Sequence, residues 1–180
     1  MINKILVAVD HCEHNQDVFD TAVSLAKTSK ANLMLLHILS PKESEYPMLP
    51  VDTYYPIVEE IDYERYHQQF AEYEQKGLKF LQNLRETATA QGIDPEYTQL
   101  EGNPGRMICE LANNWSADLI VVGSRGLKGL KEMFLGSVSN YVTHHAPCSV
   151  LIVRQPIDSK SELLSESAAN KELLTKSLDS

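Results

Sequence analysis

Two hydrophobic periods alternate along the chain. Ile5-Leu6-Val7-Ala8-Val9 is a short unbroken apolar run, the pattern of a strand buried on both faces. From Asn15 to Ser29 the apolar residues Val18, Phe19, Ala22, Val23, Leu25 and Ala26 return at helical spacing. A second buried strand follows at Leu33-Met34-Leu35-Leu36-His37-Ile38-Leu39. Tyr66, Phe70, Tyr73, Gly77, Phe80, Leu84 and Ala88 then step by four and three, which predicts a long helix from Tyr63 to Ala90. A weaker strand is expected at Glu96–Leu100. Beyond it, Asn103 and Pro104 have the chemistry of a helix cap and first helical position. That helix carries Met107, Ile108, Leu111 and Ala112. Leu119–Val122 is a fourth buried strand running straight into Gly123, a last helix is expected near Ser137, and Val150–Val153 is a fifth strand. Strand and helix alternate throughout, which predicts an α/β fold: an open parallel sheet with helices on both faces. The pattern leaves the order of the strands open.

Two segments stand outside the alternation. Residues 41–60 hold four of the chain's eight prolines, a density that excludes regular helix and predicts a long loop after the second strand. Such a loop is either a tolerated surface insertion or a lid or contact surface. The tail, 156–180, is rich in Ser, Lys, Glu and Leu and lacks aromatic residues. Leu163, Leu164, Leu173, Leu174 and Leu178 could form a short amphipathic helix, and the composition suits disorder equally well. The expected division is therefore a domain over 1–155 followed by a tail.

Charge narrows the function. The 180 residues carry a formal net charge of −9, so nucleic acid and anionic membrane are both disfavoured as partners, and any phosphate must be held by a local arrangement. The opening residues lack a signal-peptide pattern, and no run approaches the length of a membrane helix. Cys12, Cys109 and Cys148 are odd in number and far apart, which fits reduced thiols and a cytoplasmic location.

The chemistry concentrates between Val121 and Asn140. A buried strand enters a glycine-punctuated loop containing Gly123, Gly126, Gly129 and Gly136, and Gly136-Ser137 then opens a helix. Glycines let a ligand approach the backbone. The first helical N–H groups, at Ser137, Val138 and Ser139, point outward with the positive end of the helix dipole, and the hydroxyls of Ser137 and Ser139 add donors. Arg125, Lys128 and Lys131 against Glu132 make this stretch locally basic within an acidic chain. Lys128 and Lys131 are either phosphate-steering groups or ordinary solvated charges. No P-loop lysine precedes Ser137, and Asp10-His11-Cys12-Glu13-His14 replaces the glycine fingerprint a dinucleotide site would need.

The spacing Gly123-x2-Gly126-x9-Gly136-Ser137 resembles the ATP-binding motif of universal stress proteins. The first strand ending Val7-Ala8-Val9-Asp10 and the closing run from His144 through Pro147 to Arg154 are also similar to that family, so the resemblance spans Lys4 to Arg154. It implies a Rossmann-like five-stranded parallel sheet of order 3-2-1-4-5, with the first and fourth strands as neighbours. Ligands of such sheets sit at the carboxyl ends of the strands where the order reverses. By position, Ala8, Val9 and Asp10 would line adenine and ribose, and Ile38 would meet adenine through its backbone. Gly123 would touch ribose, while Arg125, Gly126, Gly136, Ser137, Val138 and Ser139 would hold the phosphates. The implied ligand is ATP, or AMP or ADP in its place, and a Mg²⁺ or Mn²⁺ ion bridging the phosphates is compatible with it. The family also implies a homodimer paired through Val150–Val153. The chain departs from the family after Asp10, where His11-Cys12 stands in place of the usual Gly-Ser.

The remaining polar residues carry weaker signals. His11, Cys12 and His14 lack the second ligand pair of a structural zinc site. His144 and His145 read as surface or packing residues, and Cys109 as core. The resulting expectation is a nucleotide-binding sensor or regulatory protein without catalytic residues. A slow ATPase or nucleotidyl-transferring enzyme, or an interaction module with a vestigial site, are the competing readings.

Overall fold

In the computed structural model the described residues are 1–11, 15–41, 43, 46–48, 60–124 and 135–154. They form β1 (Lys4–Ala8), α1 (Asn15–Ser29), β2 (Asn32–Leu39), α2 (Glu60–Ala90), β3 (Glu96–Glu101), α3 (Pro104–Trp115), β4 (Leu119–Gly123), α4 (Ser137–His145) and β5 (Ser149–Val153). The five strands are all parallel in the order β3-β2-β1-β4-β5. Most of the 41–60 insertion, and the tail from residue 155 onward, lie outside the described residues.

The apolar runs become strands because each is covered on both faces. Ile5, Val7, Leu33, Leu35, Leu119 and Val121 face α1 and α2, where they meet Phe19, Val23, Leu81 and Leu84. Leu6, Met34, Leu36, Ile38, Ile120 and Val122 point the other way, onto Ile108 and Ala112 of α3 and Val142 of α4. The stripe predicted for the long helix is the face α2 turns to the sheet, with Tyr73, Gly77, Leu81, Leu84 and Ala88 buried along it.

Local chemistry fixes the element ends. Asn103 caps α3, its side chain accepting from the Arg106 N–H at 3.3 Å, with Pro104 at the start of the helix. Asn103→Ala should lower stability by about 1 kcal/mol, read as a shift of the urea midpoint at unchanged slope. At the opposite edge of the sheet, Asp118 Oδ2 accepts from the N–H groups of Asn3 (2.7 Å) and Lys4 (3.0 Å). Those two bonds hold its carboxyl below the usual carboxylate range and tie the start of β1 to the start of β4.

Candidate nucleotide site at the carboxyl edge of the sheet

Strand order reverses between β1 and β4, so their carboxyl ends flank a crevice. Val7 pairs with Val121, and continuing that register sets Val9 opposite Gly123. Asp10 follows immediately, half-buried at the mouth. Gly123 lies close under α1: a Cβ there would stand 3.1 Å from Cγ2 of Val18, so the position favours glycine on packing grounds as well.

Ile38 is a residue of β2, and its side chain is buried on the α3 side of the sheet. Its backbone is the relevant part. Leu36 O accepts from Val9 N at 2.9 Å, toward β1, while Leu39 O accepts from Gly102 N at 3.0 Å, toward β3. Backbone groups alternate along a strand. Ile38 therefore presents its N–H and C=O to the β1 side, beyond the end of β1.

A helix that returns between parallel strands begins at their carboxyl edge, which brings the start of α4 to the same crevice. Gly136 is the N-cap, with φ −57° and ψ 157°, and it supplies no side-chain cap to the helix. The amides of the first turn are thus without a capping side chain, in contrast to α3. Ser137 is exposed and Val138 half-buried. Ser139 differs from the expectation: it is buried, and its hydroxyl donates to the Gly136 carbonyl at 3.0 Å. That proton is committed inside the helix turn, so the backbone, not this hydroxyl, is what Ser139 has to offer an anion. Arg125 and Gly126, together with Lys128, Lys131 and Glu132, lie outside the described residues, as do Cys12 and His14.

Sequence reasoning gave no role to the polar group directly behind this crevice. His37 is fully buried in β2. Gln99 Nε2 donates to the Glu74 carbonyl at 3.0 Å, which turns Oε1 toward His37 Nδ1 at 3.2 Å. An amide oxygen only accepts, so Nδ1 carries the proton and Nε2 is left with its lone pair. That Nε2 is buried and has no hydrogen-bond partner among the described residues. His11 packs its ring against His37 (centroids 5.1 Å apart) and Phe80 (4.3 Å). Burial pushes the His37 imidazole below the ordinary histidine value, opposed in part by its bond to Gln99. The available signals were a histidine inside an apolar run and a glycine inside a buried helical stripe.

A parallel sheet of order 3-2-1-4-5, with a crevice at its switch point, defines a Rossmann-like α/β protein. The profile of the universal stress protein family matches residues 1–154, and the chain belongs to that family. It is 38% identical over 152 residues to universal stress protein Sll1388 of Synechocystis sp., covering 84% of this chain and 97% of that one. It is 39% identical over 156 residues to universal stress protein YxiE of Bacillus subtilis, covering 86% and 100%. Among solved structures it is similar to a universal stress protein in complex with cAMP (TM-score 0.57, 25% identity, 84% and 97% covered). A universal stress protein family member from Arabidopsis thaliana with AMP bound shares the fold (TM-score 0.56, 21% identity, 87% and 94% covered). No helix among the described residues is long and apolar enough to cross a membrane.

Proposed function

We propose that this chain binds an adenine nucleotide, ATP in the first instance, and acts as a sensor or regulatory protein of the cytoplasm. The observation that carries the reading is the uncapped start of α4 standing at the carboxyl edge beside the β1–β4 switch point. The N–H groups of Ser137, Val138 and Ser139, with Gly136 admitting the ligand, would hold phosphate, joined by Arg125 and Gly126. Ala8, Val9 and Asp10 would line adenine and ribose. The Ile38 backbone would read the base edge, and Gly123 would lie against the sugar. The cAMP and AMP complexes of similar proteins support the ligand class.

The donor set bears on the metal. Among the described residues no three His, Cys, Asp or Glu side chains converge on an ion. A Mg²⁺ or Mn²⁺ ion accompanying ATP would therefore lean on phosphate oxygens, screening charge that the acidic chain does not. The domain doing this spans 1–155. Its edge strand β5 pairs only with β4 among the described strands and leaves Val150–Val153 half-buried, which supports pairing of two chains through that edge.

Denaturing the purified protein and identifying any released nucleotide by mass spectrometry tests the reading. A titration of emptied protein with ATP, AMP and cAMP runs alongside. An adenine nucleotide stoichiometric with the chain is the expected result. No released nucleotide, and no binding at about 1 mM ATP with Mg²⁺, would overturn it.

A further inference from the structure

We propose that His37, with the His11 ring packed on it, forms a proton-operated latch behind the nucleotide site, and that protonating His37 weakens nucleotide binding. The inference rests on the nucleotide-binding reading and adds its regulation. The two histidines occupy telling positions. His11 directly follows Asp10, the residue implied for ribose, and His37 directly precedes Ile38, whose backbone faces the crevice. Their rings meet edge to face, with centroids 5.1 Å apart at 77°, and both rest against Phe80 of α2. One imidazole is exposed and the other fully buried, so the pair connects solvent to the interior.

The neutral state is defined by the amide network. Glu74 O orients Gln99, Gln99 orients His37, and Nε2 keeps a lone pair. A proton from water can add only there. It converts an acceptor into a buried N–H donor that has no hydrogen-bond partner among the described residues, and it places a cation in a buried site. The charged and titratable groups facing His37 are Asp10 and His11 from the end of β1 and Glu43 from the turn after β2. Glu43 already accepts the Tyr73 hydroxyl. From α2 the ring meets Phe80 and the bare backbone at Gly77, and from β3 the neutral Gln99 amide.

A proton on Nε2 therefore has two effects on the same short segment. It draws the Asp10 carboxylate inward, away from the crevice, and it sets a charge against the His11 ring packed edge to face on it. Both disturb the end of β1, where the sugar is expected to sit. The sign follows from burial. The folded protein resists protonating His37, so the neutral, binding-competent arrangement persists through neutral pH and is lost only as pH falls below the ordinary histidine range. By reciprocity, bound nucleotide should make His37 harder still to protonate.

The experiment is ATP titration calorimetry on the full chain at pH 7.5, 6.5 and 5.5, with folding checked by circular dichroism at each pH. Wild type is compared with His37→Gln and with His37→Asn, whose side-chain amide can keep a donor toward Gln99 and does not titrate. The pH response of ATP itself is common to all three proteins and cancels in the ratio of their Kd values. Between pH 7.5 and 5.5 the wild type should begin to lose more affinity than either variant, and the gap should widen as pH falls further, toward about tenfold, the limit for one group whose pKa differs by a unit between free and bound states. If His37→Gln fails to fold, His37→Asn carries the comparison. Binding at pH 7.5 with an unchanged ratio at pH 5.5 overturns the latch and leaves the nucleotide reading intact. No ATP binding by wild type at pH 7.5 overturns both.

Discussion

Gly136→Asp should abolish nucleotide binding while leaving the protein at least as stable as wild type. The two halves of that outcome have one cause. Gly136 is the N-cap of α4 with φ −57° and ψ 157°, a backbone conformation open to any L residue, and the helix has no side-chain cap. An aspartate there would accept from the first-turn amides and lie at the positive end of the helix dipole, contributing up to about 1 kcal/mol to stability. The same carboxylate would occupy the amides that phosphate needs and repel it at close range. At about 4 Å and an effective dielectric near 20, that repulsion is about 4 kcal/mol, or between two and three orders of magnitude in Kd. Thermal denaturation and ATP titration on the same preparation check it. A Tm at or above wild type, with binding lost by about a hundredfold or more, places phosphate at this helix start. Unaltered binding would remove α4 from the site. Gly136→Ser separates the two contributions, since a serine caps without charge and should cost far less affinity.

The starts of α3 and α4 show what a sequence makes legible. Asn103-Pro104 and Gly136-Ser137 are both local signals, decided within four residues, and both mark helix starts where the structure has them. The strands at Lys4–Ala8, Asn32–Leu39 and Leu119–Gly123 were equally readable, because burial on both faces leaves an unbroken apolar run. Strand order is a different kind of information. It depends on which runs pair across long stretches of chain, and no local pattern encodes that β1 lies between β2 and β4. The resemblance to universal stress proteins supplied it. The Ser139 hydroxyl shows a related limit: the sequence offers a donor at the right helical position, but only burial decides that it turns back onto Gly136. His37 and Gln99 are 62 residues apart in sequence, and Gly77 belongs to a third element. Their convergence becomes visible only once β2, β3 and α2 are assembled.

That convergence gives the second large effect, with a sign opposite to the one helix propensity predicts. Gly77 lies inside α2, where replacing glycine by alanine ordinarily stabilises by about 1 kcal/mol. Here a Cβ would collide with Gln99 Oε1 and stand 2.8 Å from His37 Nδ1 and 3.0 Å from its Cε1. The Gln99 amide is the end of a flexible side chain and can swing aside, but doing so breaks its bonds to His37 and to the Glu74 carbonyl. His37 would then have neither ring nitrogen paired among the described residues, and its fully buried ring has no room to retreat. An unsatisfied buried donor costs about 1–3 kcal/mol and overpacking about 1–3 more, so after the propensity gain Gly77→Ala should destabilise by about 1–5 kcal/mol net. Urea denaturation measures it, and a double-mutant cycle identifies the cause. With Gln99→Ala already in place the amide is gone, so adding Gly77→Ala should cost at least about 1 kcal/mol less than it does in wild type. Strict additivity, or a stabilised Gly77→Ala, would mean that α2 does not lie this close to the His37–Gln99 pair. The proton latch would then lose its fixed tautomer as well, because the Glu74 carbonyl that orients the Gln99 amide belongs to the same helix.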